Sequence, residues 1–134
     1  MDTPDSGILL FRNTMRINDG HLEGFRNATA RAVEFVERHG PQLMVEVFID
    51  EQRLLADSFQ LYRDSDAVRA HWQMSAPYIN DVMDHCRVEH FEVFGAPDDD
   101  VVRGVRNALG DQVSPTFSPR FTGFMRFNAP QPGK

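Results

Sequence analysis

The sequence holds one cysteine, Cys86, and one lysine, Lys134. A single thiol closes no intrachain disulfide, so a disulfide framework is excluded and an oxidising compartment is not implied. Arginine carries nearly all the positive charge, and 14 basic against 20 acidic residues leave a formal net charge of −6. That balance lacks the concentrated basic surface that phosphate backbones require, which argues against a nucleic-acid partner. No apolar run approaches the roughly 18–20 residues that span a bilayer. The opening MDTPDSG has neither a basic n-region nor an apolar stretch, so neither a signal peptide nor membrane association is expected, and the expected location is cytoplasmic. Also missing are GxGxxG, a P-loop, a nucleophile elbow and any HxH or HxxxH pair. Nucleotide cofactors, that hydrolase class and a metal site therefore have no sequence signature.

What is present fits one soluble domain: 134 residues, 41% hydrophobic and 25% charged. Ile8 to Ile17 alternates as a strand, with Leu9, Phe11, Asn13, Met15 and Ile17 on the face suited to a core. Asn13 interrupts that face with an amide that needs partners if buried. After the turn residues Asn18, Asp19 and Gly20, apolar positions from His21 to His39 recur at helical spacing, and Gly40-Pro41 stops the helix. Leu43–Ile49 and Leu54–Tyr62 predict an antiparallel hairpin. Ser65 to about His85 predicts helix, with a break at Ser75, Ala76 and Pro77 dividing it in two. Arg87–Phe94 predicts a fourth strand with Glu89, Phe91 and Val93 on one face. Asp98–Leu109 predicts a third helix whose three leading aspartates suit the positive end of its dipole. The remainder is irregular, punctuated by prolines. Its Phe117, Phe121, Phe124 and Phe127 are too many for a free tail and are expected to be buried. Arg120 and Arg126 among them suit an acidic partner surface or a lid over a pocket mouth.

Strand–helix–strand–strand–helix–strand is the split βαβ order of a ferredoxin-like α+β domain with an antiparallel sheet. Helices cover one face. The other is expected to carry Met44, Phe48, Tyr62 and Phe94 beside Arg12, Glu46, Gln60, His90 and Glu92, a mixture that a second copy in a two-fold homodimer would cover.

The element order, with FRNTMRI in the first strand, LMVEVFIDEQ opening the hairpin, SFQLYRDSDAVRAHWQMSAPY and VEHFEVFG, resembles the antibiotic biosynthesis monooxygenase family of dimeric α/β barrels. The resemblance covers residues 8–95 and leaves 96–134 as a C-terminal helix and Phe-rich extension. It implies a cofactor-independent monooxygenase acting on an aromatic, quinol-like or polyketide-type small molecule, with no cofactor and no metal. Asn13 and Trp72 fall where oxygenase relatives hold substrate or oxygen, and become the candidate catalytic pair. An amide facing an indole N–H in a dry cavity supplies two neutral hydrogen-bonding groups for a phenolic substrate and its anion. Tyr78, His71, Phe11 and Phe59 complete the candidate substrate-binding set, with His71 expected at solvent or the pocket rim. Haem-degrading relatives place an iron ligand nearest Val82, which cannot bind iron. His85, one turn on, is the only candidate haem ligand, and the reading favours none. The alternatives are a non-catalytic small-ligand-binding dimer and a haem-binding relative.

Overall fold

The computed structural model describes residues 7–126. β1 (Leu9–Ile17) is the central strand of a five-stranded sheet, and the alternation read from its sequence sets the layering. After it come α1 (Leu22–His39), β2 (Met44–Asp50), β3 (Leu55–Tyr62), α2 (Ser65–Met83), β4 (Cys86–Phe94), α3 (Asp99–Leu109) and β5 (Thr116–Ser118). The strand order is β2-β3-β1-β4-β5. β1 to β4 pair antiparallel, as expected of a ferredoxin-like α+β fold, and the sheet stays open. β5 adds a parallel edge to β4, an element hidden in a proline-punctuated stretch where three residues give no periodicity.

Three expectations are corrected. α2 runs unbroken through Pro77. The hydrogen bond lost there belongs to the carbonyl of Gln73, and both residues are exposed, so water can serve it. Tyr62 and Gln60 belong to the covered face, because β3 pairs Tyr62 with Leu9, Gln60 with Phe11 and Ser58 with Asn13, and cross-strand partners share a side. Val88 pairs with Met15 because a bulge at Glu89 shifts the β1–β4 register. Glu89 accepts from Arg16 Nε at 2.6 Å.

The core is not continuous. Leu9 and Phe11 lie in one cluster with Tyr62, Val68, Val93, Val101 and Val105. Met15 and Ile17 lie in another with Phe25, Ala56 and Cys86. Asn13 sits between them on the same strand face. α3 seals the first cluster with Val101 and Val105 and is tied to α2 through Arg69, whose Nε lies 2.7 Å from Asp100. Ser65 Oγ accepts from the Asp98 backbone N–H at the start of α3. No helix among the described residues is long and apolar enough to cross a membrane.

The tail phenylalanines do not share one fate. Phe117 packs on the first cluster, whereas Phe121 and Phe124 are 95% and 78% exposed; Phe127 lies outside the described residues. Residues 118–125 run beside Ile8, Leu10, Leu61 and Phe94 on the uncovered side of the sheet. The expected lid over the helix-side pocket is thus not formed by the described part of the tail, and Arg126 stacks on Phe124.

Candidate functional site

The gap between the two clusters is a cavity of about 120 Å³. It exists because short side chains meet there: Ser58 from β3, Ala32 and Thr29 from α1, and Ser75 from α2 leave space above Asn13. α1 and α2 are held across it by the stack of Phe35 on Tyr78, 4.3 Å between centroids, and by Arg31 to Asp81 at 2.8 Å. Val45 and Val47 of β2 close the third side. A shallower surface depression bordered by Arg26 and Glu51 shares Thr29, Val33, Val45 and Val47 with the cavity, which places its mouth between α1 and the edge strand β2.

The lining is neutral: no Asp, Glu, Lys or Arg contributes among the described residues. It is nevertheless rich in unpaired polarity. Asn13 Oδ1, Thr29 Oγ1, Gln42 Oε1 and Ser75 Oγ are buried side-chain atoms without a hydrogen-bond partner, and all four residues line this cavity. Buried polar atoms are ordinarily satisfied, and leaving one unpaired costs about 1–3 kcal/mol. Four around one hollow offer hydrogen-bond partners to whatever enters it, water or a small molecule.

One wall is a hydrogen-bonded chain. The Tyr62 hydroxyl donates to Gln60 Oε1 at 2.6 Å. Gln42 Nε2 donates to the same oxygen at 3.1 Å and approaches His71 Nδ1 at 2.9 Å. Gln60 Nε2 reaches Ser58 Oγ at a long 3.5 Å. Burial pushes the Tyr62 phenol above its ordinary value and lowers His71 to about 4, so both are neutral at physiological pH.

Of the sequence candidates, the structure brings Asn13, His71 and Tyr78 together at the cavity. His71 is 6% exposed, inside the cavity wall and not at a solvent-facing rim. Trp72 is elsewhere. One residue on from His71, it turns about 100° around the helix and packs with Val68 on the first cluster, its ring against Gly104 of α3. The expected Asn13–Trp72 pair across one hollow is therefore not formed. Phe11 is core, its ring 5.1 Å from Tyr62 and 5.7 Å from Phe91. Phe59 is on the opposite sheet face, beneath Arg12 and edge-on to Phe48. His85 does not line the cavity; its Nδ1 lies 3.1 Å from that of His21, whereas Val82 does line it. Among the described residues no group of three or more His, Cys, Asp or Glu is arranged to hold a metal.

The sequence reading missed Gln42, Ser75 and Thr29. Ser75 and Tyr78 follow His71 by four and seven residues, a helical stripe that was legible, but the expected break at Pro77 cut it. Gln42 lies in an irregular link after Gly40-Pro41, where periodicity carries no information.

No family model matches the sequence, and no curated protein sequence matches it. Solved structures do share its fold. MupZ from Pseudomonas fluorescens is 17% identical over 94% of each chain, with a TM-score of 0.72. SnoaB from Streptomyces nogalater, a cofactor-independent oxygenase, is 17% identical over 69% of this chain and 95% of its own, with a TM-score of 0.59. A Caulobacter crescentus protein assigned as an antibiotic biosynthesis monooxygenase is 13% identical over 70% of this chain and 93% of its own, at 0.61. The chain thus has the fold of antibiotic biosynthesis monooxygenases. MupZ shares the fold over 94% of this chain, against 69% and 70% for the other two.

Proposed function

We propose that the protein is a cofactor-independent monooxygenase acting on a small, neutral, hydroxylated aromatic or quinol-like molecule bound in the cavity beside Asn13. The observation that carries this reading is the set of four unpaired buried polar atoms around one uncharged hollow. Two of them are amide oxygens, Asn13 Oδ1 and Gln42 Oε1, which accept but cannot donate. A phenol or enol supplies the missing O–H. An uncharged lining disfavours carboxylates and phosphates, whose burial without a counter-charge is costly. Size narrows the choice further: about 120 Å³ is less than the roughly 150 Å³ that accommodates benzene, so even a single ring fills the cavity and extends into its open mouth. Larger polyketide-type rings require the α1–β2 mouth to widen.

In the reaction the substrate supplies the electrons. For a single-ring quinol, C₆H₆O₂ plus O₂ gives the hydroxyquinone C₆H₄O₃ plus H₂O, one oxygen atom entering the ring as the new hydroxyl and the other leaving as water. Asn13 and Gln42 orient the hydroxyl, and Ser75, Thr29 and His71 are within the same wall to stabilise charge that develops on oxygen. The fold of SnoaB, itself a cofactor-independent oxygenase, supports the assignment. The test is oxygen consumption by chelator-treated, flavin-free protein given hydroquinones and anthrones. Uptake above a heat-treated control, lost in Asn13→Leu, is expected; no uptake with any of them overturns it.

Binding without turnover is the second reading. It is favoured by one observation: among the described residues His71, neutral and weakly basic, is the only imidazole in the wall, and no carboxylate accompanies it. Calorimetric binding of a hydroquinone with no oxygen uptake distinguishes it.

The same proposal includes a homodimer through the uncovered sheet face and a division into an 8–95 core and a 96–134 extension. Several charges on that face are matched: Arg12 with Asp57 and Glu92, Arg16 with Glu89. A second copy can cover Phe48, which is 59% exposed, and Phe94 while leaving those ion pairs intact, and must also meet the exposed Glu46 two residues from Phe48. Light scattering should give twice the chain mass, reduced to one by Phe48→Glu.

A further inference from the structure

We propose that Gln42 is a positioning residue that fixes His71 as its Nε2–H tautomer, making the imidazole a neutral hydrogen-bond donor to a carbonyl oxygen of the ligand. This rests on the reading of the cavity as the ligand site and extends it to the substrate's second functional group.

The argument begins at the buried phenol. Tyr62 is 1% exposed, and its hydroxyl hydrogen is accepted by Gln60 Oε1. That contact orients the Gln60 amide, because its oxygen must face Tyr62. The same oxygen then accepts from Gln42 Nε2 at 3.1 Å, which orients the second amide. The Gln42 amide, which also neighbours the Tyr62 hydroxyl, directs its hydrogens to Gln60 Oε1 and to His71 Nδ1 at 2.9 Å. Nδ1 must present its lone pair, so in a neutral ring the proton is on Nε2. Reversing the chain would put the two amide nitrogens where the oxygens now stand and leave the buried phenol hydrogen without its acceptor. The direction is set at Tyr62 and read out at His71.

The chemical consequence concerns the ligand. With Nδ1 engaged, Nε2–H is the ring group left for a guest in the cavity that His71 lines. It donates, whereas Asn13 Oδ1 and Gln42 Oε1 accept. A molecule satisfying all three bears a carbonyl together with two O–H groups, or with one whose hydrogen the two amide oxygens share, as in a hydroxylated quinone or a keto–enol. Burial keeps the ring neutral, so the donor holds its hydrogen through the reaction, as a neutral imidazole does when it acts as an electrophile towards a carbonyl.

The test is tautomer-resolved nitrogen NMR on the full chain with ¹⁵N-labelled histidine at neutral pH. The His71 resonances are identified among the five histidines by their loss in His71→Gln. The expected pattern is a protonated Nε2 and an unprotonated Nδ1. Gln42→Glu should invert it, because a carboxylate accepts from Nδ1–H, and Tyr62→Phe should let both tautomers appear. An Nδ1–H pattern or an imidazolium in the unsubstituted protein overturns the proposal, and so does a pattern that Gln42→Glu leaves unchanged, the result for a merely structural glutamine. Should turnover occur, removing the donor in His71→Phe should lower kcat ~100-fold with KM changed much less. Absent oxygen uptake with the Nε2–H pattern intact defeats the oxygenase reading alone.

Discussion

The indole of Trp72 lies against Gly104 so closely that a Cβ built on that glycine would stand 2.5 Å from Cζ3. The contact joins α2 to α3 and explains why a tryptophan that resembles a catalytic residue in sequence is spent on packing. An aromatic ring held by Val68 and Val101 in the same cluster has little room to move.

Gly104→Ala is therefore expected to destabilise the fold. Alanine gains about 1 kcal/mol of helix propensity over glycine, but overpacking a closed contact costs about 1–3 kcal/mol. A net loss of up to about 2 kcal/mol should appear as a lower denaturation midpoint with an unchanged slope.

Trp72 is the only tryptophan, so intrinsic emission reports the α2–α3 seam and not the cavity. Filling the cavity with a hydroquinone should leave the emission maximum nearly unchanged, while Gly104→Ala should shift it. Trp72→Phe should lower stability and leave turnover within about threefold, since the ring does not touch the site. A loss of turnover without a loss of stability would return the indole to the mechanism.

Asn13→Leu separates stability from function in the opposite direction. It removes an unpaired buried oxygen and fills empty space with an apolar group, which should stabilise the fold by about 1–2 kcal/mol. Ligand binding should be lost in calorimetry. A site that costs the fold stability is the ordinary mark of function.

The pH dependence follows from His71. Its folded value, about 4, lies below the ordinary 6.5. Between those values the unfolded chain binds the proton and the folded chain does not, so unfolding is favoured as pH falls. Stability should be full above about pH 6.5, decline towards pH 4 by an amount on the order of 3 kcal/mol, and level off below. In His71→Gln this part of the decline should vanish, as measured by denaturant titrations at pH 7 and pH 4.5.

The architecture was legible because β1 and the two long helices announce themselves by period. Leu9, Phe11, Met15 and Ile17 alternate without ambiguity, and Asn13 stands out against them. β3 was harder: Ser58-Phe59-Gln60-Leu61-Tyr62 places apolar residues on both parities, so only its pairing with β1 decides which side faces the helices. The Glu89 bulge carries no local marker, because it arises between strands. His71 and Trp72 were known to be adjacent, yet which of them faces the sheet depends on α3, whose position no periodicity encodes. Gln42 acquires its role only when Tyr62, Gln60 and His71, distant in sequence, converge on it.

The mouth between α1 and β2 has a mechanical implication. β2 is the sheet's outer strand, and its free side meets α1 across a surface ion pair, Arg26 with Glu51. Admitting a bulky guest by parting α1 from β2 would break that solvated ion pair, worth at most about 1 kcal/mol, and leave every ladder intact, while Phe25 in the core and the Phe35–Tyr78 stack limit how far the helix tilts. The hollow can therefore grow at its α1–β2 side, while the strands that hold Asn13 and Gln60 keep their register.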